Sequence, residues 1–164
     1  MGKTYIIRKD QHRSGLYFSP HFGKSTEIKK VIFSDRCWYD KINEDSLDIN
    51  KLFGFSHGLH HNNSVRFGWI PDFSNKNKIQ IWSYLYHKGI RKFDLICTVD
   101  CREVHQYKIS IIDNRVFFAI NDLEGNLLGE LNYEFSTKFK WGYNLFPYFG
   151  GDNTSPKDLD IIII

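Results

Sequence analysis

The chain has 164 residues, of which 41 % are hydrophobic and 16 % aromatic, and a formal net charge of +3. That length suits one domain, residues 1–164, able to bury roughly two thirds of its unfolded surface without disulfide staples. The small, dispersed charge excludes the concentrated basic face that nucleic-acid binding needs, and the dominance of Phe and Tyr over a single Met favours the half-buried, pleated surfaces of an all-β fold.

The first residues, MGKTYIIRKD, lack the apolar run of a secretory signal, and no later run reaches the length of a membrane span. Ile6 stands where an N-myristoylation motif carries Ser or Thr. The expectation is a soluble chain without membrane contact, cytoplasmic or virion-associated. Cys37, Cys97 and Cys101 are odd in number and form no C-x-x-C pair. On one strand Cys97 and Cys101 would stand about 13 Å apart, beyond disulfide reach, so free thiols in a reducing compartment are expected.

Thr4–Arg8 reads as a short strand, Lys9–Gly15 as a turn, and Leu16–Ser19 as a second short strand before Pro20. Glu27–Tyr39 has an extended pattern at Val31-Ile32-Phe33 and Cys37-Trp38-Tyr39, broken by Ser34-Asp35-Arg36. In Asp40–Lys51 the spacing of Ile42, Leu47 and Ile49 is poor for an amphipathic helix, and an irregular loop with one turn at most is expected.

Leu52–Ile70, LFGFSHGLHHNNSVRFGWI, is the densest stretch in chemical groups. Its first part is too rich in glycine for a helix and reads as a polar, histidine-bearing loop. From Ser64 onward Val65, Phe67 and Trp69 alternate with Arg66 and Gly68, the period of a strand with one face on the core.

Turn signals then recur about every 8–12 residues. Asn75-Lys76-Asn77 precedes Ile79–Tyr86, Lys88-Gly89 joins that strand to Ile90–Val99, and Asp113-Asn114 joins Tyr107–Ile112 to Arg115–Asn121. Glu124-Gly125-Asn126 leads into Leu127–Phe135, and the Trp141–Gly151 segment and Leu159–Ile164 close the chain as a final pair. Ile161–Ile164 is apolar on both faces, so it belongs in a sheet covered on each side or at an interface with a protein partner or a second copy. Without a repeat of fixed period, the pattern predicts a two-sheet antiparallel β-sandwich or a barrel.

The strand SVRFGW, the hairpin IQIWSYLYHKGIRKFDLICTVD, the pair HQYKISIIDNRVFFAIND and the ending YFGGDNTSPKDLDIIII together resemble the concanavalin A-like jelly roll of lectins, laminin G-like modules and glycan hydrolases and lyases, over roughly Leu52–Ile164. The resemblance implies a jelly-roll sandwich. It does not extend to the catalytic patterns of these groups. The alternating E-x-D-x-E of laminarinase-like enzymes is absent, and of the lyase pattern R-x-E-x-R, Q-x-H and a Tyr-rich closing strand only Arg66, His105-Gln106 in another order, Tyr143 and Tyr148 remain. The motif FGFSHGLHHNNSVRFGW also resembles an uncharacterised family from gut Bacteroidota and their phages, which implies no activity.

Three constellations could carry chemistry. His57, His60 and His61 either pin a loop over the sandwich or offer imidazoles to a transition metal, although H-x-x-H-H is no established zinc spacing. Arg66, on the sheet face away from the core, either pairs with Asp72, Asp94 or Asp100 or recognises an acidic sugar or phosphate. Trp82, Tyr84 and Tyr86 share the face opposite Ile79, Ile81 and Leu85, and form a ladder that either packs beneath the Gly54–Asn63 loop or stacks on sugar rings. The expected function is a non-catalytic binding module, glycan its most concrete ligand, with no cofactor and no bound metal. Arg66 and the Trp82-Tyr84-Tyr86 face are its contact surface, with the three histidines at the rim. The alternatives are a phage-associated structural protein acting through protein contacts, and a polysaccharide lyase-like enzyme. In the latter Arg66 would neutralise a uronate carboxylate, with His105 or Tyr143 as base and acid.

Overall fold

Alternation of apolar and polar side chains, punctuated by residues that accept a left-handed backbone, makes strands almost the only regular elements among the described residues. The structure is a computed structural model that describes residues 2–42 and 48–164. Its strands are β1 (Lys3–Ile7), β2 (Pro20–Phe22), β3 (Thr26–Phe33), β4 (Asn50–Ser56), β5 (Ser64–Pro71) and β6 (Lys78–His87). They continue as β7 (Ile90–Asp100), β8 (His105–Ile112), β9 (Arg115–Asn121), β10 (Leu127–Glu134), β11 (Trp141–Leu145) and β12 (Leu159–Ile163). One antiparallel sheet has the order β1-β12-β3-β8-β9-β10 and the other β2-β11-β4-β5-β6-β7. The chain is an all-β, two-sheet sandwich of jelly-roll type.

The inner faces supply a core rich in aromatics. Val65, Phe67 and Trp69 of β5 are fully buried, as the period of two predicts, and meet Phe33, Tyr107 and Phe118 from the facing sheet. The turns follow their residues: Lys88-Gly89 and Asp113-Asn114 all have positive φ, the geometry of the two-residue hairpin that Gly, Asn and Asp permit. Cys37, Cys97 and Cys101 are free thiols. No helix among the described residues is long and apolar enough to cross a membrane.

Several expectations need correction. Leu52–Ser56 is not part of a polar loop: it belongs to β4, with Leu52, Phe53 and Phe55 in the core, and the loop is confined to residues 57–63. Gly54 reads as a loop residue in sequence, yet it is required inside the strand, because a Cβ there would run into the Val65 carbonyl and the Arg66 backbone. Leu16–Ser19 forms no strand; the strand starts at Pro20, tolerated as the first residue of an edge strand. Cys37-Trp38-Tyr39 is not extended pairing either, because a short 3-10 turn over Asp35–Cys37, capped by Ser34, redirects the chain after β3. Of the loop expected at Asp40–Lys51, residues 43–47 lie outside the described residues, and Asn50 and Lys51 already belong to β4.

The closing strand does not pair with the segment before it. β11 joins β4 and β2 in one sheet, while β12 lies between β1 and β3 in the other. Its apolar run is explained on the inner side by burial of Leu159, Ile161 and Ile163. On the outer side Ile162 is half-buried and Ile164 is exposed.

Candidate binding groove

Arg66 projects from the outer face of the second sheet, between the core residues Val65 and Phe67. Its neighbours in register are Gly54 on β4 and Tyr84 on β6, so one side of it is bare backbone and the other an aromatic ring. Its Nη2 donates to the Phe146 carbonyl at 3.0 Å, and its Nε is buried without a partner. The carboxylates proposed for it are engaged elsewhere. Asp72 caps its own turn through Ser74 and Asn75, Asp94 accepts from the Tyr133 hydroxyl, and Asp100 pairs with Lys78. Among the described residues Arg66 has no carboxylate partner at all, which corrects the ion-pair expectation.

Tyrosines surround it instead: Tyr84, Tyr143, Tyr148 and Tyr86 are the groups whose fields reach it. Burial lowers its pKa to about 10, still well above neutrality, so the guanidinium is charged. Lys51 adds a second cation beside the Tyr84 ring, 5.1 Å from its centroid, with Nζ donating to the Gly150 carbonyl at 2.8 Å. Burial first, and then Arg66, lower the Lys51 pKa to about 8, against an opposing pull from Asp48 and Asp152. Neither Lys51 nor the rim residue Arg13 stands out in the sequence, because each comes close to Arg66 only through the sheet register and the chain crossing over β11.

The histidines separate. His60 Nδ1 is hydrogen-bonded to the Tyr143 hydroxyl, 2.6 Å away, and its backbone N–H donates to the same oxygen. His61 stacks flat on Tyr86, with ring centroids 5.4 Å apart. His57 turns away into the sandwich: its Nε2 donates to the Lys24 carbonyl at 2.6 Å, and its ring lies against Phe55 and Phe135. Among the described residues no group of three His, Cys, Asp or Glu side chains could hold a metal. The ladder stays together: Trp82, Tyr84 and Tyr86 pack with Phe93, Ile49 and Ile70 in one small apolar cluster on this sheet face, with Tyr84 directly across from Arg66. His105, offered as a lyase base, lies on β8 in the opposite sheet beside Glu103, so it cannot act with Arg66.

Arg66, His60, Tyr143, Tyr148, Arg13 and Phe18 line a groove of about 500 Å³ on the outer face of the second sheet. Its far wall is the segment before β2, tied down where Asp10 N–H donates to the Ser155 carbonyl, where His12 meets the Phe149 carbonyl, and where Tyr17 packs on Phe146.

Burial first, then His61 and Arg66, lower the His60 pKa from 6.5 to about 4, so the ring is neutral at neutral pH. The unfolded chain takes up this proton at the ordinary histidine pKa while the folded chain resists until about pH 4, so stability falls as pH drops through that window. His21 and His105, both lowered chiefly by burial, add in the same direction. The melting temperature should therefore decline from neutral pH towards about pH 4, and His60→Gln should flatten the decline. Equal slopes in variant and wild type would remove His60 from this account.

No protein-family model matches the chain, and none of the curated proteins compared matches it in sequence. Solved structures share its fold. A functionally unknown protein from Saccharomyces cerevisiae superposes with a TM-score of 0.56 at 10 % identity, over 96 % of this chain and 77 % of that one. An alginate lyase from Klebsiella pneumoniae gives 0.60 at 7 % identity, over 86 % of this chain and 58 % of that one. The alginate lyase AlyC3, in complex with dimannuronate, gives 0.53 at 8 % identity, over 98 % of this chain and 71 % of that one. At these identities the likeness is one of fold, and the chain spans less than two thirds of the Klebsiella enzyme.

Proposed function

We propose that the groove binds an acidic glycan, a polysaccharide whose rings carry carboxylates, and that the chain acts as a non-catalytic binding module. The observation that carries this reading is Arg66, a partly buried arginine whose Nε is enclosed without a partner and which has no carboxylate partner among the described residues. A cation left in that condition costs stability, and a ligand carboxylate would supply both the missing charge and a planar partner for the fork of N–H donors. Lys51 strengthens the same field, and Tyr17, Tyr143 and Tyr148 in the groove lining offer rings with hydroxyl groups, suited to a ligand bearing both C–H faces and oxygens. That two proteins of this fold are alginate lyases, one holding dimannuronate, makes a uronate polymer the first ligand to try.

Eliminative cleavage of the same glycan is the second reading, favoured by the His60–Tyr143 hydrogen bond at the groove wall. With its own proton lost to solvent, Tyr143 could take the ring proton beside a carboxylate neutralised by Arg66 and return it to the leaving oxygen, held in place by its hydrogen bond to His60. One experiment separates the readings. Electrophoresis through gels containing a uronate polymer should retard the protein, less so at high salt and not in a neutral glucan gel. No retardation would sink the proposal. Growth of the ultraviolet absorbance of an unsaturated uronate on incubation would convert the module into a lyase.

A further inference from the structure

The outer face of β11 and β2 continues beyond the groove as a row of exposed aromatic rings. Gly142 points inward, where a Cβ would strike the Ser56 carbonyl, and His21, its partner in register, packs on Phe55 and His57. Trp141 and Tyr143 therefore project outward, with Phe22 directly across from Trp141 and Pro20 across from Tyr143. Phe139 meets the Trp141 ring edge-on at 6.2 Å, and Phe18 lies 6.2 Å from the Tyr143 ring. These rings are left in solvent: Phe22 is 78 % exposed, Phe18 80 %, Trp141 48 % and Phe139 47 %. Contiguous exposed aromatics on a folded surface have no packing role there and mark a contact surface.

We propose that this face is a second carbohydrate subsite, which stacks the rings of an acidic glycan that lie outside the groove; the inference rests on the groove's binding such a glycan. Two observations choose this occupant. Tyr143 belongs to both places, on the groove wall and in the row with Trp141, so a chain seated at Arg66 passes directly onto the aromatic face. Charge agrees as well. Lys138 and Lys140 alternate with Phe139 and Trp141 in sequence, are exposed, and have no carboxylate partner among the described residues. Aromatic faces for the C–H side of a sugar ring, with two exposed cations just before β11 adding a positive field at that end of the sheet, describe a polyanionic saccharide running along β11. Single-stranded nucleic acid is the competing ligand for rings and lysines together, and it enters the test as a probe.

The test is titration with a mannuronate disaccharide, a mannuronate hexasaccharide and an oligothymidylate, followed by calorimetry on wild type, Trp141→Ala, Trp141→Phe, Phe22→Ala and Arg66→Ala. Wild type should bind the hexasaccharide about tenfold or more tighter than the disaccharide, the size of one stacked ring. Trp141→Ala should erase that gain while leaving disaccharide affinity unchanged, Phe22→Ala should reduce it, and Trp141→Phe should keep most of it. Arg66→Ala should weaken both saccharides alike. The inference is overturned if Trp141→Ala binds the hexasaccharide as wild type does, if it loses both saccharides equally, or if oligothymidylate binds more tightly than the hexasaccharide. Wild type that binds neither saccharide overturns the groove reading and this one with it. That result differs from saccharide binding without any dependence on length. Thermal melts confirm folding of each variant, since Trp141 and Phe22 contribute little to the core.

Discussion

Arg66→Ala is expected to abolish retention on a uronate polymer while leaving the melting temperature unchanged or raised. The two halves have one cause. Burial holds the Arg66 pKa below its ordinary value, so the charged form is less favourable in the folded chain than in the unfolded one, and the fold carries that cost at every pH where the side chain is ionised. Removing the guanidinium relieves the cost. Against it stands one hydrogen bond to the Phe146 carbonyl, about 1 kcal/mol, together with some lost packing. Binding moves the other way, because truncating one partner of a desolvated charge pair costs roughly 2–5 kcal/mol, or at least about thirtyfold in affinity. Arg66→Lys should recover little, since an ammonium cannot reproduce a planar two-pronged contact. The proposal fails if Arg66→Ala binds as wild type does. It fails equally if the variant melts several degrees lower, for then the guanidinium holds the fold together and its lack of a carboxylate says nothing about a ligand.

Most of the fold was legible in the sequence because strands such as β6, β8 and β9 keep one face in the core and the other partly open to water, a condition that writes itself as alternation. The reading went astray where that condition lapses. β4 is buried along nearly its whole length, so Leu52, Phe53 and Phe55 show no alternation, and its glycine signals close approach of a neighbouring strand and not a loop. β2 is a three-residue edge strand, too short to carry a period, whose existence depends on β11 more than a hundred residues later. The destination of β12 is equally non-local: nothing within Leu159–Ile163 specifies β1 and β3 as neighbours.

The candidate site divides along the same line. Arg66, Tyr84 and Tyr86 could be placed together because adjacent strands joined by a short connection fix their register. Tyr143, Tyr148 and Arg13 reach Arg66 from distant parts of the chain, and only the sheet order brings them in. The histidine triplet could not be resolved from its spacing: the turn after Gly58, which adopts positive φ, sends His57 towards the core, leaves His60 on the groove wall and lets His61 stack on Tyr86.

Phe67→Ala should produce the largest loss of stability of any substitution near the groove. Phe67 is fully buried and joins the two sheets: its ring meets Phe53 at 5.6 Å, Tyr107 at 5.2 Å and Phe118 at 5.3 Å. Truncation removes the transfer free energy of the ring and leaves a cavity walled by three other rings that cannot easily collapse, a cost of about 3–5 kcal/mol. Against a total stability of about 5–15 kcal/mol this is a large fraction, and the melting temperature should fall by roughly 10 °C or more. The neighbouring position gives the contrast that makes the measurement informative. Arg66 and Phe67 occupy opposite faces of one strand, so Phe67→Ala, held well below its melting temperature, should still bind the uronate polymer, whereas Arg66→Ala should stay folded and bind nothing. If the Phe67 variant instead loses binding at a temperature where its near-ultraviolet circular dichroism remains native, the outer face depends on core packing, and the groove cannot be treated as a site carried passively on a rigid sheet. A melting temperature within about a degree of wild type would mean that the two sheets are held together elsewhere, which the aromatic contacts around Phe67 do not allow.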